Sequence, residues 1–512
     1  MRIICRYEST LIFFIFSFAS FYIIFYLLID FVIGIAHLLL PYEPPKNREL
    51  KAFITSAYYY PTSKSLGDNA LALVMSMNLG KRQKDYMEMQ SGAPMDFAEI
   101  VVWAKNGTTS RLVSTPYIRV TPHDYCQMIT VFATVQLMPN VKNILLVSDD
   151  GSTEVPFVIP SYRKRDLVVC LSPLYVAEQW QNFLLTVHIY KRYGGFLNVY
   201  LISCISSFFA LMKKYESAGY LNIQPWYRVN FPYILPQYAD PFVGIEFQNQ
   251  AAAHTDCLLQ YKEAAEFVTF VDMDDILIPR LAPTYVEEFH KIIANKKRVA
   301  YIVFRQENYK VNVAIDGSKF SIDSTLRSLT HQKWSEKNGK LVANPQFINF
   351  TWIYPTPTYL NGMNYFETSD NYFIHLKNIK WTNSISTNPI QNYPNTTEPL
   401  ISNVDIDELE VDYQRMIDEF EIDLIFPDFP RKLFYFNSVT KCLKNNYYNY
   451  LNSGSYGYLR CPGPQMCEFP KYRDVKCVHV NATHIFMEKL YPITYYFASG
   501  PYFTADIGCV PH

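Results

Sequence analysis

The first patterned stretch of the chain is apolar without interruption: from Leu11 to Ile29, nineteen residues carry no charge. Wound as a helix at roughly 1.5 Å per residue they extend about 28 Å, close to the hydrocarbon thickness of a bilayer, and so predict a membrane-spanning anchor. The run is longer and bulkier than the apolar region of a cleaved signal peptide. A second apolar run, Phe31 to Leu40, follows Asp30. The anchor is therefore placed at 11–40, behind a cytoplasmic tail of residues 1–10. Pro41, Pro44 and Pro45 end it. Between 41 and 160 short strand-like runs, such as Ile100 to Trp103 and Val141 to Val147, alternate with Gly, Asn, Asp and Pro clusters, which predicts a β-rich stem. Within it, Asp149-Asp150-Gly151-Ser152 is ordinary turn chemistry.

Beyond Tyr162 the rhythm changes. Asp166 to Leu171 reads as a buried strand, and Trp180, Phe183, Leu184 and Val187 then recur at helical spacing until Gly194-Gly195 supplies a stop. Phe196 to Ile202 is a second strand. Phe208, Phe209, Leu211 and Met212 mark a helix that closes near Gly219, and a third strand runs over Leu221 to Gln224. A helix across Ala251 to Tyr261 precedes a fourth strand, Phe267 to Val271. This alternation predicts an α/β domain over 161–400 with a Rossmann-like, mostly parallel sheet and helices on both faces. The remainder, 401–512, is acidic at first and then rich in Cys and Tyr.

Charge narrows the function. With 46 basic and 47 acidic residues the chain offers no single-signed field for nucleic acid. Four acceptor tripeptides, at Asn106, Asn349, Asn395 and Asn481, point to a glycosylated, lumen-facing protein. Nine cysteines lie beyond the anchor, five of them in the last 71 residues, as disulfides do in an oxidising compartment. Nine being odd, one thiol remains free. The aromatic content, 41 Tyr and 36 Phe, is spread along the whole chain and reads first as compositional bias.

The chemistry gathers at the end of the fourth strand, in Asp272, Met273, Asp274 and Asp275. On an extended segment residues two apart face the same way, so Asp272 and Asp274 are expected to turn their carboxylates to one point. Oxygen ligands suit Mg2+ or Mn2+, which take one or two carboxylates and complete their shell with water and phosphate oxygens. Ligands of such sheets bind beyond the carboxyl ends of the strands, where these residues stand.

Val169-Cys170-Leu171-Ser172-Pro173-Leu174-Tyr175, Tyr193-Gly194-Gly195, Lys214-Tyr215-Glu216-Ser217-Ala218-Gly219, Gln224-Pro225-Trp226, Asn249-Gln250 and Asp256-Cys257-Leu258, followed by the Asp272 motif and Pro279, resemble glycosyltransferase family 92 in order and spacing. Ser56-Ala57-Tyr58-Tyr59-Tyr60 and Gly339-Lys340-Leu341-Val342 resemble further blocks of that family. The resemblance implies a GT-A type fold, a type II Golgi anchor with a lumenal catalytic domain, a manganese ion, and inverting transfer of galactose from UDP-galactose to a glycan acceptor. It assigns Ser172, Asp272 and Asp274 to the donor, and Asp272, Asp274 and His375 to the metal. Glu367 and Asp370 are the carboxylates available as the catalytic base. Two other readings stay open. One is a lumenal glycan-binding protein with an idle site, since Asp275 stands where the family usually carries Glu. The other is a haloacid-dehalogenase-type phosphatase, whose nucleophile loop also follows a strand with Asp-x-Asp.

Overall fold

The computed structural model describes residues 50–509, except 80–98, 124, 232–243, 356–358, 384–388, 395, 456–458, 460, 464–468, 471 and 486–489. The anchor expected at 11–40 and the tail before it lie outside the described residues, and among the described residues no helix is long and apolar enough to cross a membrane.

The strands in chain order are β1 (Leu50–Tyr60), β2 (Ala70–Met77), β3 (Ile100–Lys105), β4 (Ser110–Thr115), β5 (Tyr117–Arg119), β6 (Ile129–Gln136), β7 (Asn143–Ser148) and β8 (Gly151–Glu154). The βα region follows with β9 (Arg165–Leu174), helix α1 (Trp180–Arg192), β10 (Gly195–Leu201), β11 (Ser203–Ile205), α2 (Ser206–Ser217), β12 (Leu221–Pro225), α3 (Gln250–Tyr261) and β13 (Ala265–Val271). After it come β14 (Asp275–Ile276), α4 (Tyr285–Ile293), β15 (Val299–Ala314), α5 (Ile322–Arg327), β16 (Thr330–Ala343) and β17 (Asn364–Thr382). The chain closes with α6 (Asn403–Phe420), α7 (Phe436–Leu443), β18 (Lys476–Ile485) and β19 (Ile493–Ile507).

The central sheet has the order β12-β10-β9-β13-β16-β15-β17-β14. Its first four strands are parallel, as the rhythm predicts. The rest is mixed: β13 pairs antiparallel with β16, β16 with β15, and β17 with β14, while β15 pairs parallel with β17, so the expected mostly parallel sheet is corrected to a mixed one. Antiparallel neighbours need no crossover helix, and the βα rhythm accordingly stops after β13. Helices do lie on both faces. Alternate residues of β9 divide between two cores, with Leu167, Val169 and Leu171 packing among residues of α1 and α2. Val168 and Cys170 pack among Ala251, Ala252, Cys257 and Leu258 of α3. A disulfide, Cys170–Cys257, fastens that helix to the sheet.

Helix α3 is sandwiched, since the same core contains Phe53, Tyr58, Val74 and Phe132 of a second sheet. That sheet has the order β11-β18-β19-β1-β2-β6-β5, and its opposite face packs on a third, β4-β3-β7-β8. Asp149 and Asp150 form the tight turn between β7 and β8. The divisions at about 160 and 400 mark changes of rhythm along the chain, whereas in space residues 49–512 make one compact unit. Strand β1 pairs with β19 in parallel, Cys126 is bridged to Cys461, and the buried Glu178 carboxylate accepts backbone N–H bonds from Phe434, Tyr435 and Phe436 at the start of α7. Cys477 pairs with Cys509, and the buried Cys204 is the free thiol among the described residues.

Candidate active site

The order β12-β10-β9-β13 reverses direction between β9 and β13, the topological switch point at which such sheets bind ligands. Ser172 stands near the end of β9 on one side of it and Asp272 follows β13 on the other; the Ser172 hydroxyl donates to Asp272 Oδ1 at 2.6 Å. The serine oxygen in turn accepts from Gln250 Nε2 at 2.6 Å and lies 3.2 Å from His254 Nε2. Burial pushes His254 down to about 3, so this imidazole is neutral.

The acidic motif is a turn rather than an extended segment. Asp275 N–H donates to Asp272 O at 3.0 Å, and the Asp275 carboxylate closes the loop by accepting from Asp272 N–H, also at 3.0 Å. Met273 turns inward, but the reversal sends Asp272 and Asp274, expected to face one point, towards different neighbours. Asp272 Oδ2 takes the Lys340 ammonium at 2.7 Å, whereas Asp274 Oδ1 lies 3.9 Å from His375 Nδ1.

Asp275 is the hub. Only three residues separate β13 from β14, yet β14 pairs at the far edge of the sheet, on β17, with Asp275 opposite His375. The intervening strands therefore curl around the turn, and each sends a side chain to Asp275. Gln306 of β15 donates to its Oδ1 at 2.5 Å, His375 of β17 lies 2.9 Å from the same oxygen, and Lys340 of β16 sits 2.9 Å from Oδ2. A completely buried carboxylate needs such partners to stay ionised. Burial would raise its pKa, but Lys340 and the His375 hydrogen bond hold it well below the carboxylate range. At Asp272 burial is likewise outweighed by Lys340, and the pKa falls. Lys340 itself, buried but flanked by two carboxylates, is raised well above the usual amine value.

Asp274 is different. It is about a third exposed (32%), and among the described residues its carboxylate accepts no hydrogen bond. Burial, joined by repulsion from Asp275 and Asp272, prevails over the pull of His375 and Lys340 and raises it to about 6. Its ligand atoms, with those of Asp275 and His375, lie within 4.8 Å of one another, and this trio fits a divalent cation. Asp274 is the underneutralised member, and a cation there would offset the burial and repulsion that raise its pKa.

The other assigned residues are dispersed. Glu367 is exposed and paired with Arg305 at 3.6 Å, and Asp370 is exposed, its carbonyl accepting from Arg280. Neither is among the groups gathered around Asp275. Of the acceptor asparagines, Asn481 is exposed and Asn106 half-buried on a loop; Asn349 has its side-chain oxygen buried next to a buried Thr351, and Asn395 lies outside the described residues.

Sequence reasoning missed Gln306, His254 and the role of Lys340. A lone lysine in a strand has no spacing signal; the one available was Gly339 before it. A Cβ at Gly339 would meet Phe304 O at 2.3 Å, so only glycine lets β16 approach β15 closely there. A second strained feature opens α3, where Phe247, Gln248 and Asn249 all have positive φ (39°, 54° and 66°). Each costs about 1–2 kcal/mol outside glycine, strain of a kind that concentrates at functional sites. The Asn249 carboxamide oxygen steadies the run, accepting from Ser76 at 3.1 Å and Thr130 at 3.3 Å.

A parallel βα floor with buffered carboxylates at its switch point defines an α/β protein built to meet a ligand at the carboxyl rim of its sheet. A family model described as Glycosyltransferase family 92 matches residues 165–417. Glycosyltransferase family 92 protein C33H5.2 of Caenorhabditis elegans is 49% identical over 476 residues, covering 92% of each chain. Protein ZK381.2 of the same family and organism is 34% identical over 464 residues, covering 90% of this chain and 89% of its own. A solved structure, S. aureus TarS 1-349 in complex with UDP-GlcNAc, aligns with 50% of this chain and 73% of its own at 12% identity; its TM-score of 0.22 is too low to bear on the fold or the chemistry. The chain belongs to glycosyltransferase family 92 and is a nematode-type glycosyltransferase of that family. That assignment displaces the phosphatase reading.

Proposed function

We propose that the protein is a metal-dependent hexosyltransferase that moves galactose from UDP-galactose to a glycan acceptor with inversion. It acts as a single-pass type II protein whose catalytic domain faces the Golgi lumen. Family membership supports the transferase, and the disulfides and exposed Asn481 agree with a lumenal setting. The observation that carries metal dependence is Asp274, a carboxylate at the rim with a raised pKa and no hydrogen-bond donor among the described residues. Asp274 and His375 would hold the cation, Mn2+ or Mg2+, which when bound would supply positive charge to balance the negative charge growing on a diphosphate leaving group. Asp275 and Lys340 fix the turn, and Ser172 with Lys340 orients Asp272 towards the donor. Galactose as donor sugar and inversion rest on the family resemblance.

Titration calorimetry with UDP-galactose, UDP-glucose and UDP-N-acetylhexosamines, with and without Mn2+, tests the reading. UDP-galactose is expected to bind most tightly, and only with the cation. Asp274→Asn removes the cation-dependent part of that affinity; an Asn variant that binds the donor as tightly as the parent in Mn2+ ends the assignment.

A further inference from the structure

Beside the acidic rim lies a ring cluster that the donor chemistry leaves unused. His123 stacks on Tyr125 with centroids 3.5 Å apart and planes 7° from parallel. Trp352 lies edge-on to His123 at 5.8 Å and to Tyr354 at 5.2 Å. At the centre the Glu246 carboxylate takes Trp352 Nε1–H on one oxygen at 2.7 Å, with His123 Nε2 2.7 Å from the other. Tyr125 and Tyr447 join their hydroxyls at 3.1 Å. His123, Tyr125, Trp352 and Tyr354 are each half-buried, neither sealed in the core nor fully exposed.

Three observations tie this cluster to the rim. Tyr354 lies close enough to Lys340, Asp272 and Glu246 for the charges of all three to act on its hydroxyl. Glu246 and Gln250 flank the left-handed run of Phe247, Gln248 and Asn249, and Gln250 reaches Ser172, which reaches Asp272. The strained run thus sets the spacing between the carboxylate among the rings and the carboxylates at the switch point. The Cys126–Cys461 bridge, starting one residue after Tyr125, fastens that side covalently.

We propose that this cluster is the subsite for the acceptor hexose, an inference that rests on the transferase reading above. The ring faces pack on the C–H face of a pyranose, and the phenol groups take its hydroxyls. Glu246 is a positioning residue, holding Trp352 and His123 at fixed angles.

The test uses the purified full-length chain with Mn2+ and UDP-galactose, and the methyl glycosides of galactose, mannose and N-acetylglucosamine as acceptor probes. Saturation-transfer NMR on the parent protein is expected to show at least one glycoside bound. Trp352→Ala and Tyr354→Ala raise the KM for that glycoside about tenfold or more, as loss of a stacked ring does, while the KM for UDP-galactose stays within about twofold. Glu246→Gln keeps the shape of the side chain and tests the cluster should the alanine variants misfold; it too raises the acceptor KM. A parent protein that binds the donor but none of the glycosides overturns the subsite, as does an acceptor KM unchanged in all three variants. A parent protein that fails to bind UDP-galactose instead overturns the transferase reading.

Discussion

The two halves of the central sheet contribute to one site in different ways. The parallel half, β12-β10-β9-β13, brings Ser172 and Asp272 together by regular geometry, since each strand ends at the same rim. The other half, β16-β15-β17-β14, contributes Lys340, Gln306 and His375, whose positions follow from curling around a three-residue turn. The first half places the carboxylates, and the second sets their charge. Two adjacent aspartates show the difference: Asp275, turned into the curled half, is saturated and stays ionised, while Asp274, at the edge, is left with a raised pKa.

The sharpest way to break this division is to remove the charge supplied by the curled half. Lys340→Met leaves the buried Asp275 without its cation and is expected to cost about 3–5 kcal/mol, read as the shift in urea midpoint. An unshifted midpoint means that the curled half does not hold the cluster.

Asp274→Asn acts in the opposite direction. The folded pKa, about 6, exceeds the ordinary 3.8, so the protonated carboxyl favours the fold at low pH, and that contribution is lost as pH rises through 6. In metal-free buffer at pH 7.5 the Asn variant is expected to be more stable by about 1–2 kcal/mol, after allowance for solvent screening of a third-exposed group. The gain disappears near pH 4; thermal melts across that range check both the sign and the window.

In the parallel half, Ser172→Ala removes the donor to Asp272 and is expected to cost about 1–2 kcal/mol, the range for a hydrogen bond to a charged group. A larger loss than at Lys340 would invert the comparison. The smallest effect on stability belongs to the surface: Asn481→Gln and Asn106→Gln each remove one glycan's mass on gels of secretory-pathway material, while Asn349→Gln, with its oxygen already buried, leaves the mass unchanged.

The same division decides what could be read from the sequence. The run from β9 to β13 was legible almost to the residue, because 3.6-residue and 2-residue periodicities alternate there and Gly194 and Gly219 punctuate them. The long strands after it were not. β17 carries register shifts against β15 near Thr368 and Leu376, which scramble the alternation that would announce a strand. The candidate site was legible only in part. Three acidic residues within four positions signal themselves, whereas Gln306 and Lys340 enter through strand pairings whose one local mark is Gly339. Assuming an extended Asp-x-Asp segment also hid the turn that separates Asp272 from Asp274.

The pairing of β1 with β19 has a consequence for biosynthesis. Leu50 is matched with Ile493, so the earliest strand among the described residues waits for the last of them before its sheet can close. Until then the edge of β1 over Leu50–Ile54, a mostly apolar stretch, stays open to any extended peptide nearby, a hazard for a nascent chain. Loss of as few as twenty residues from the carboxyl end would make that exposure permanent and mark the product for retention by folding chaperones.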